Sequence, residues 1–334
     1  MRGNIRRYLA VTMGDPAGIG PEVIMKAVSQ NRHWNSNPIL VGRYDVLSRT
    51  RDRFAQGLVL DRAADRTELD RLLDDTARDT ICVYDTSSGD YLPEPGKGDE
   101  RTGASSLRCI DDAIDLWKGE YVAGMVTGPV SKALIEKSGT PFTGHTEYIA
   151  ERTGGFPYMM MYSPDYTVIL VTMHLPIQSV HVRVTAERIE HTAKAALHAL
   201  KRINGRDARL AVAGLDPHCG DNGAIGPFDR DVTVPLVRRM KKSGLNIEGP
   251  YSADTLFIPD RWKQYDGIIA MYHDQGLIPF KMCAFETGVN VTLGLPIVRT
   301  SVDHGTAFDI AGRGIASHAS FVHAYELAML LSGE

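Results

Sequence analysis

Residues 101–130, RTGASSLRCIDDAIDLWKGEYVAGMVTGPV, hold the fold in miniature. Ala104, Leu107, Ile110, Ile114 and Trp117 recur at steps of three and four, so five apolar side chains share one face of a helix. The apolar run Val122 to Val126 follows, and after it the turn-forming Thr127-Gly128-Pro129. A helix that leads straight into a short, fully apolar run reads as part of a βαβ unit whose strand is buried on both faces. Runs of the same kind recur at Tyr8 to Met13, Pro38 to Val41, Ile81 to Tyr84, Thr167 to Thr172, Leu210 to Ala213, Ile268 to Met271 and Val289 to Leu293. A second amphipathic helix is predicted from Ala186 to Ile203. The alternation predicts the α/β class, a largely parallel sheet with helices on both faces.

Composition narrows the function classes. A chain of 334 residues has room for two domains, and 43% hydrophobic with 23% charged residues is the balance of a globular protein. The formal net charge of −4 provides no basic field, so nucleic acid is not an expected partner. Cys82, Cys109, Cys219 and Cys283 form no C-x-x-C pair, which argues against a disulfide framework or a zinc knuckle and for a cytoplasmic location. The stretch before Gly14 is too short for a signal-peptide core, and no run approaches the roughly 18 apolar residues of a membrane helix, so no membrane association is expected.

Polar residues collect just beyond the apolar runs: Gly14-Asp15-Pro16-Ala17-Gly18, Thr127-Gly128-Pro129, Asp216-Pro217-His218 and His273-Asp274-Gln275-Gly276. Open α/β sheets bind ligands outside the carboxyl ends of their strands, so these loops are expected to share one cleft. His174, His218 and His273 each stand at or a few residues beyond such a run, in VILVTMH, LAVAGLDPH and GIIAMYH. Each taken singly fits an ordinary polar loop residue. Their common placement points to a divalent metal, since three neutral imidazoles leave a coordination position for water or a substrate oxygen.

Other positions suit anions. His145 and Thr146 in PFTGHTEY precede a helical stretch whose backbone N–H groups and hydroxyl can hold an anion, although a capping Thr followed by Glu147 explains the same letters. Lys281, Asn290 and Arg299 lie on or beside the run Val289 to Leu293, and a lysine charge with an arginine fork is the usual clamp for phosphate or carboxylate. The stretch from His304 to Gly314 is punctuated by glycine and lets a nucleotide approach the backbone, without being a G-x-G-x-x-G fingerprint.

Together VTMGDPAGIGPEV, TGPVSKALIEKSGTPFTGHTEYIAERTG, DPHCGDNG, GPYSADTLF, AMYHDQGLIPFK and GVNVTLGLPIVRTSVDHGTAFDIAGRG resemble the 4-hydroxythreonine-4-phosphate dehydrogenase family from Val11 to Gly314. More distantly, GIGPEV and HGTAFDIAGRGIA are similar to segments of isocitrate and isopropylmalate dehydrogenases. The resemblance implies two α/β/α domains with a cleft between them, the first discontinuous (1–130 with 285–334, NAD-associated) and the second formed by 131–284. It implies oxidation and decarboxylation of 4-phosphooxy-L-threonine to 3-amino-2-oxopropyl phosphate in pyridoxine 5′-phosphate biosynthesis. NAD or NADP would be the oxidant, and zinc, magnesium or cobalt the metal.

By the same resemblance, His174, His218 and His273 are metal ligands in a homodimer with a shared active site, His273 coming from the other subunit. His145, Thr146, Lys281, Asn290 and Arg299 bind the phosphorylated hydroxy acid, and His304, Gly305, Thr306, Ala307 and Asp309 receive the dinucleotide. The general base stays open among Asp254, Lys281 and a metal-held water. Cys219 and the pair Tyr251-Ser252 depart from the family's pattern and leave room for a sister dehydrogenase acting on 4-phospho-threonate, 4-phospho-erythronate or a dihydrodiol carboxylate.

Overall fold

The computed structural model describes residues 8–31, 38–75, 80–88 and 91–333. In chain order the elements are β1 (Leu9–Thr12), α1 (Gly20–Gln30), β2 (Ile39–Gly42), α2 (Tyr44–Phe54), β3 (Leu60–Ala63), α3 (Arg66–Asp74), β4 (Ile81–Asp85), α4 (Glu100–Lys118), β5 (Gly124–Thr127), α5 (Lys132–Lys137) and α6 (His145–Thr153). Then come β6 (Tyr158–Tyr162), β7 (Thr167–Leu170), α7 (Ile177–Arg183), α8 (Ala186–Asn204), β8 (Leu210–Ala213), α9 (Val234–Lys242), β9 (Ile247–Tyr251), α10 (Ala253–Leu256), α11 (Pro259–Trp262), β10 (Gly267–Ala270), α12 (His273–Ala284) and β11 (Val289–Leu293). The chain closes with β12 (Val298–Val302) and α13 (Ala319–Ser332).

Two compact units result, one from Met1–Gly155 with Leu295–Glu334 and the other from Phe156–Gly294. The first unit is therefore discontinuous. Its internal boundaries fall at 155 and 295, where the sequence reading has 130 and 285: α5 and α6 pack on α4 of the first unit, and β11 pairs with β6 of the second.

In the first unit the strands run in the order β3-β4-β2-β1-β5-β12, with every pairing parallel. β1, β2 and β5 are buried at every position, as strands covered by helices on both faces must be. α4 starts on a capping box in which the Asp99 carboxylate accepts from Thr102 N–H at 3.0 Å and the Thr102 hydroxyl accepts from Asp99 N–H at 3.1 Å. It buries Leu107, Ile110 and Ile114, three of the five residues that marked its apolar face. α13 lies against β12, where the Thr300 hydroxyl donates to the Ala324 carbonyl at 2.8 Å.

In the second unit the order is β11-β6-β7-β10-β8-β9. β7, β10, β8 and β9 are parallel neighbours, whereas β6 runs antiparallel to both β7 and β11. The sheet is thus mixed. Its core closes around Trp262, fully buried between Tyr166 and Phe257 and donating its indole N–H to the Thr167 carbonyl at 3.3 Å. α8 is capped by Thr185 and ends at the left-handed Gly205.

Candidate active site: an anion pocket and a histidine cluster

β1, β5 and β12 are adjacent and parallel, so their carboxyl ends deliver residues 13–18, 128–130 and 303–306 to one edge of the first sheet. Backbone contacts knit these loops together. Asp15 N–H donates to the Pro129 carbonyl, and Ile19 N–H to the Thr306 carbonyl, both at 2.9 Å. Gly14 has φ +72°, and any Cβ there would meet Pro129 and Gly128 backbone atoms at under 3 Å, so only glycine lets the two loops approach this closely.

A pocket of about 130 Å³ opens at this edge, lined among others by Thr127, Lys132, His145, Arg299, His304 and Gly305. Arg299 sits on β12 and is only 3% exposed. Its Nε and Nη2 donate to the Thr127 hydroxyl at 3.2 and 2.8 Å. Burial brings the guanidinium pKa down to about 10, against the pull of the Glu147 carboxylate, so it remains a cation at neutral pH. His145 opens α6, and burial, reinforced by Arg299 and Lys132, holds its pKa well below the usual imidazole range. It is therefore neutral at pH 7. Its buried Nε2, like that of His304, has no hydrogen-bond partner within the protein. Arg299, Lys132 and the two orphaned imidazole nitrogens line the same pocket, a donor set of the kind that a small anion would engage.

Gly144, and not Thr146, holds the cap position of α6. A side chain there would crowd the Glu147 carboxylate and Lys132 Nζ, at 3.1 and 3.4 Å from a Cβ. Thr146 is buried in the first turn, so the capping-Thr explanation is not realised. The dinucleotide candidates share this unit: Ala307 adopts a left-handed φ of 41°, and Asp309 is exposed.

In the second unit, His174, His218 and His273 follow β7, β8 and β10, three adjacent parallel strands with β10 in the middle. The rings of His174 and His273 lie 5.5 Å apart, centroid to centroid, tilted by 44°. His273 Nδ1 is 2.7 Å from the Asp274 carboxylate, and His218 Nδ1 is 3.4 Å from the Ser252 hydroxyl, which leaves Nε2 of both rings pointing elsewhere. His218 lies in a run from 218 to 222 that is left-handed throughout, with φ between 43° and 77°. Among the described residues, no three His, Cys, Asp or Glu side chains gather as a ready-made metal group. Lys281 on α12 and Asn290 on β11 also belong to this unit, and the buried Asn290 Oδ1 has no partner. Asp254 is exposed and accepts from the Ser252 hydroxyl at 2.5 Å.

A family model described as pyridoxal phosphate biosynthetic protein PdxA matches residues 35–328. The chain belongs to the PdxA family. A 4-hydroxythreonine-4-phosphate dehydrogenase of Chromobacterium violaceum is 42% identical over 98% of each chain. A putative D-threonate 4-phosphate dehydrogenase of Oceanobacillus iheyensis is 36% identical over 97% of each. The crystal structure of 4-hydroxythreonine-4-phosphate dehydrogenase from Klebsiella pneumoniae superimposes with a TM-score of 0.84 at 35% identity, covering 99% of this chain and 100% of that one. A β-decarboxylating dehydrogenase of Thermococcus kodakarensis, at 15% identity and a TM-score of 0.50, shares the fold.

In this PdxA-family chain the structure brings His145 and Arg299, read from the sequence as substrate-binding, and His304, read as dinucleotide-binding, to one pocket; Lys132 was given no role, and Thr127 only a place in a loop expected to reach the cleft. Both stood in TGPVSK, directly after a strand, and a lysine at the start of a helix beyond a strand end was the available signal. Asp274 and Ser252, the groups that engage the imidazoles, were likewise not singled out for that role.

Proposed function

We propose that the chain oxidises and decarboxylates 4-phosphooxy-L-threonine to 3-amino-2-oxopropyl phosphate with NAD or NADP, in the cytoplasm, as a step of pyridoxine 5′-phosphate synthesis. The observation that carries this is the first unit's anion pocket, where Arg299, Lys132 and the neutral His145 converge beside the loop that starts at His304. A phosphate ester bound there is neutralised by the guanidinium and lysine and receives hydrogen bonds from uncharged imidazole, which fixes the rest of the substrate relative to the reacting carbon.

The donor set fits the implied cofactors. His304, Gly305, Thr306 and the left-handed Ala307 offer backbone and an unsatisfied imidazole to a dinucleotide, and the exposed Asp309 can accept from ribose hydroxyls. His218 and His273, each engaged through Nδ1, present Nε2 as histidine ligands of a divalent ion do, with His174 as the third. When bound, the nicotinamide takes up the electrons of the alcohol, and a divalent ion such as zinc, magnesium or cobalt acidifies the hydroxyl and stabilises the charge left when CO2 departs. Hydrogen bonding from Ser252 holds the Asp254 carboxyl below its ordinary range, so it stays ionised and suits orientation better than proton abstraction. Lys281 and a metal-held water then remain the candidate bases, and Asn290 is the candidate donor or acceptor to the substrate's amino-acid end.

We further propose a homodimer with a shared site, the partner subunit supplying His273. In support, α7, which begins three residues after His174, and α12, which begins at His273, expose the large apolar side chains Ile177 (71%), Val182 (75%), Ile278 (59%) and Met282 (82%). Light scattering of the purified protein should give twice the chain mass of 36.7 kDa.

The test of the reaction is incubation with NAD and a panel comprising 4-phosphooxy-L-threonine, 4-phospho-threonate, 4-phospho-erythronate and a cis-dihydrodiol carboxylate, following NADH absorbance and CO2. Turnover of the first with stoichiometric CO2 is expected. NADH formed only from another member of the panel would reassign the substrate to the corresponding sister enzyme.

A further inference from the structure

Ser252 occupies the residue before α10, the position at which a serine ordinarily turns its hydroxyl onto the helix's own N–H groups. Here it makes no such cap. Its carbonyl accepts from Leu256 N–H at 2.9 Å, while its hydroxyl lies 2.5 Å from Oδ1 of Asp254, in the first turn of α10, and 3.4 Å from His218 Nδ1. A hydroxyl has one proton. The short contact to a carboxylate takes it, so towards His218 the oxygen can only accept, and Nδ1 must carry the ring hydrogen. That tautomer places the lone pair on Nε2. The neighbouring His273 has the same arrangement with a different partner, Asp274, at 2.7 Å.

We infer that Ser252 is a positioning residue that relays Asp254 to His218 and fixes the imidazole with Nε2 presented to the metal. The inference rests on the reading of His218 as a ligand, and it gives Ser252, one of this chain's departures from the family pattern, a role in metal affinity in place of substrate choice. Groups that orient a ligating histidine typically contribute about 10- to 100-fold in affinity.

The experiment strips the full-length protein with EDTA and titrates it with Co²⁺, read from the visible absorption of the bound ion, alongside thermal unfolding of the metal-free proteins. Ser252→Ala and Ser252→Gly should weaken Co²⁺ binding about 10- to 100-fold with little change in metal-free Tm. Ser252→Thr, which keeps the hydroxyl, should bind as wild type does. Wild-type affinity in both the Ala and Gly variants overturns the role of Ser252 and leaves the metal site standing. Wild-type affinity in His218→Ala, or no Co²⁺ binding by the unaltered protein, overturns the metal reading itself and the relay with it.

Discussion

The guanidinium of Arg299 reaches the hydroxyl of Thr127 through two nitrogens, at 3.2 and 2.8 Å, across the pairing of β12 with β5. The pocket lined by this guanidinium is where the substrate's anionic group is expected to bind. Arg299→Ala should lower kcat/KM for the phosphorylated substrate by roughly 30-fold or more, the loss expected when one partner of a buried charged pair is removed. Arg299→Lys, which keeps the charge and loses the fork, should fall between the two. Steady-state kinetics with each substrate varied decides the point: a rise confined to the KM for NAD would place the phosphate elsewhere.

Asp15 predicts a pH dependence of stability. Its carboxyl is fully buried, and burial is the main reason its pKa rises from 3.8 to about 6, against hydrogen bonds from Ala17 N–H and the Thr102 hydroxyl. The folded chain therefore holds this proton more tightly than the unfolded chain. The associated stability is fully present below pH 3.8 and is lost as pH rises to about 6. The loss is roughly 2 to 3 kcal/mol. Asp112, also raised to about 6 by burial, contributes in the same direction. Urea midpoints of wild type and Asp15→Asn between pH 4 and 7 should show a shallower decline in the variant. Parallel curves would contradict the assignment.

Glu22 and Lys26 of α1 clamp the loop after His304. The carboxylate accepts from Gly314 and Ala316 N–H at 3.1 Å each, while Lys26 Nζ donates to the carbonyls of the same two residues at 2.7 and 3.0 Å. Glu22→Ala leaves the lysine without its buried counter-charge and should cost roughly 3 to 5 kcal/mol of stability. It should also raise the KM for NAD several-fold, with a smaller effect on the KM for the phosphorylated acid. A fall in Tm with no change in NAD affinity would reduce the clamp to a purely structural element.

Subunit mixing distinguishes the two ways of assembling the histidines. His174 and His273 approach to 5.5 Å in one chain, so a site built within a single subunit makes a competing prediction. His218→Ala and His273→Ala should each be inactive. If His273 crosses to the other subunit, random exchange between the two variants restores one intact site in about half the dimers, roughly a quarter of wild-type activity. Proven exchange with no recovered activity would confine the site to one chain.

The parts of this fold visible in the sequence were those governed by local pattern. The faces of α4 and α8 and the largely apolar, uniformly buried β1, β5, β8 and β10 follow from periodicity and burial alone. β3 was hidden by Asp61 and Arg62 at an edge of the sheet, and β6 by a core of three methionines that carries no β-branched signal. β12 was hidden because Arg299 sits where an apolar residue is expected; the site interrupts the pattern that would have revealed its strand. His174, His218 and His273 were legible by position, since strand ends are marked in the sequence. Their orienting partners depend on side-chain directions that only the folded loops define.

The return of the chain to the first unit also bears on its synthesis. β5 has β1 on one side and β12 on the other, and β12 leaves the ribosome roughly 170 residues later, on the order of 10 to 30 s at ordinary elongation rates. Through that interval Gly-Met-Val-Thr presents an open row of backbone donors and acceptors, while the contiguous second unit, 156–294, is completed first. The nascent protein therefore carries an adhesive edge at the strand that will form part of its anion pocket, and a chaperone that shields residues 124–127 until Arg299 emerges would raise the yield of active enzyme more than one acting on the finished chain.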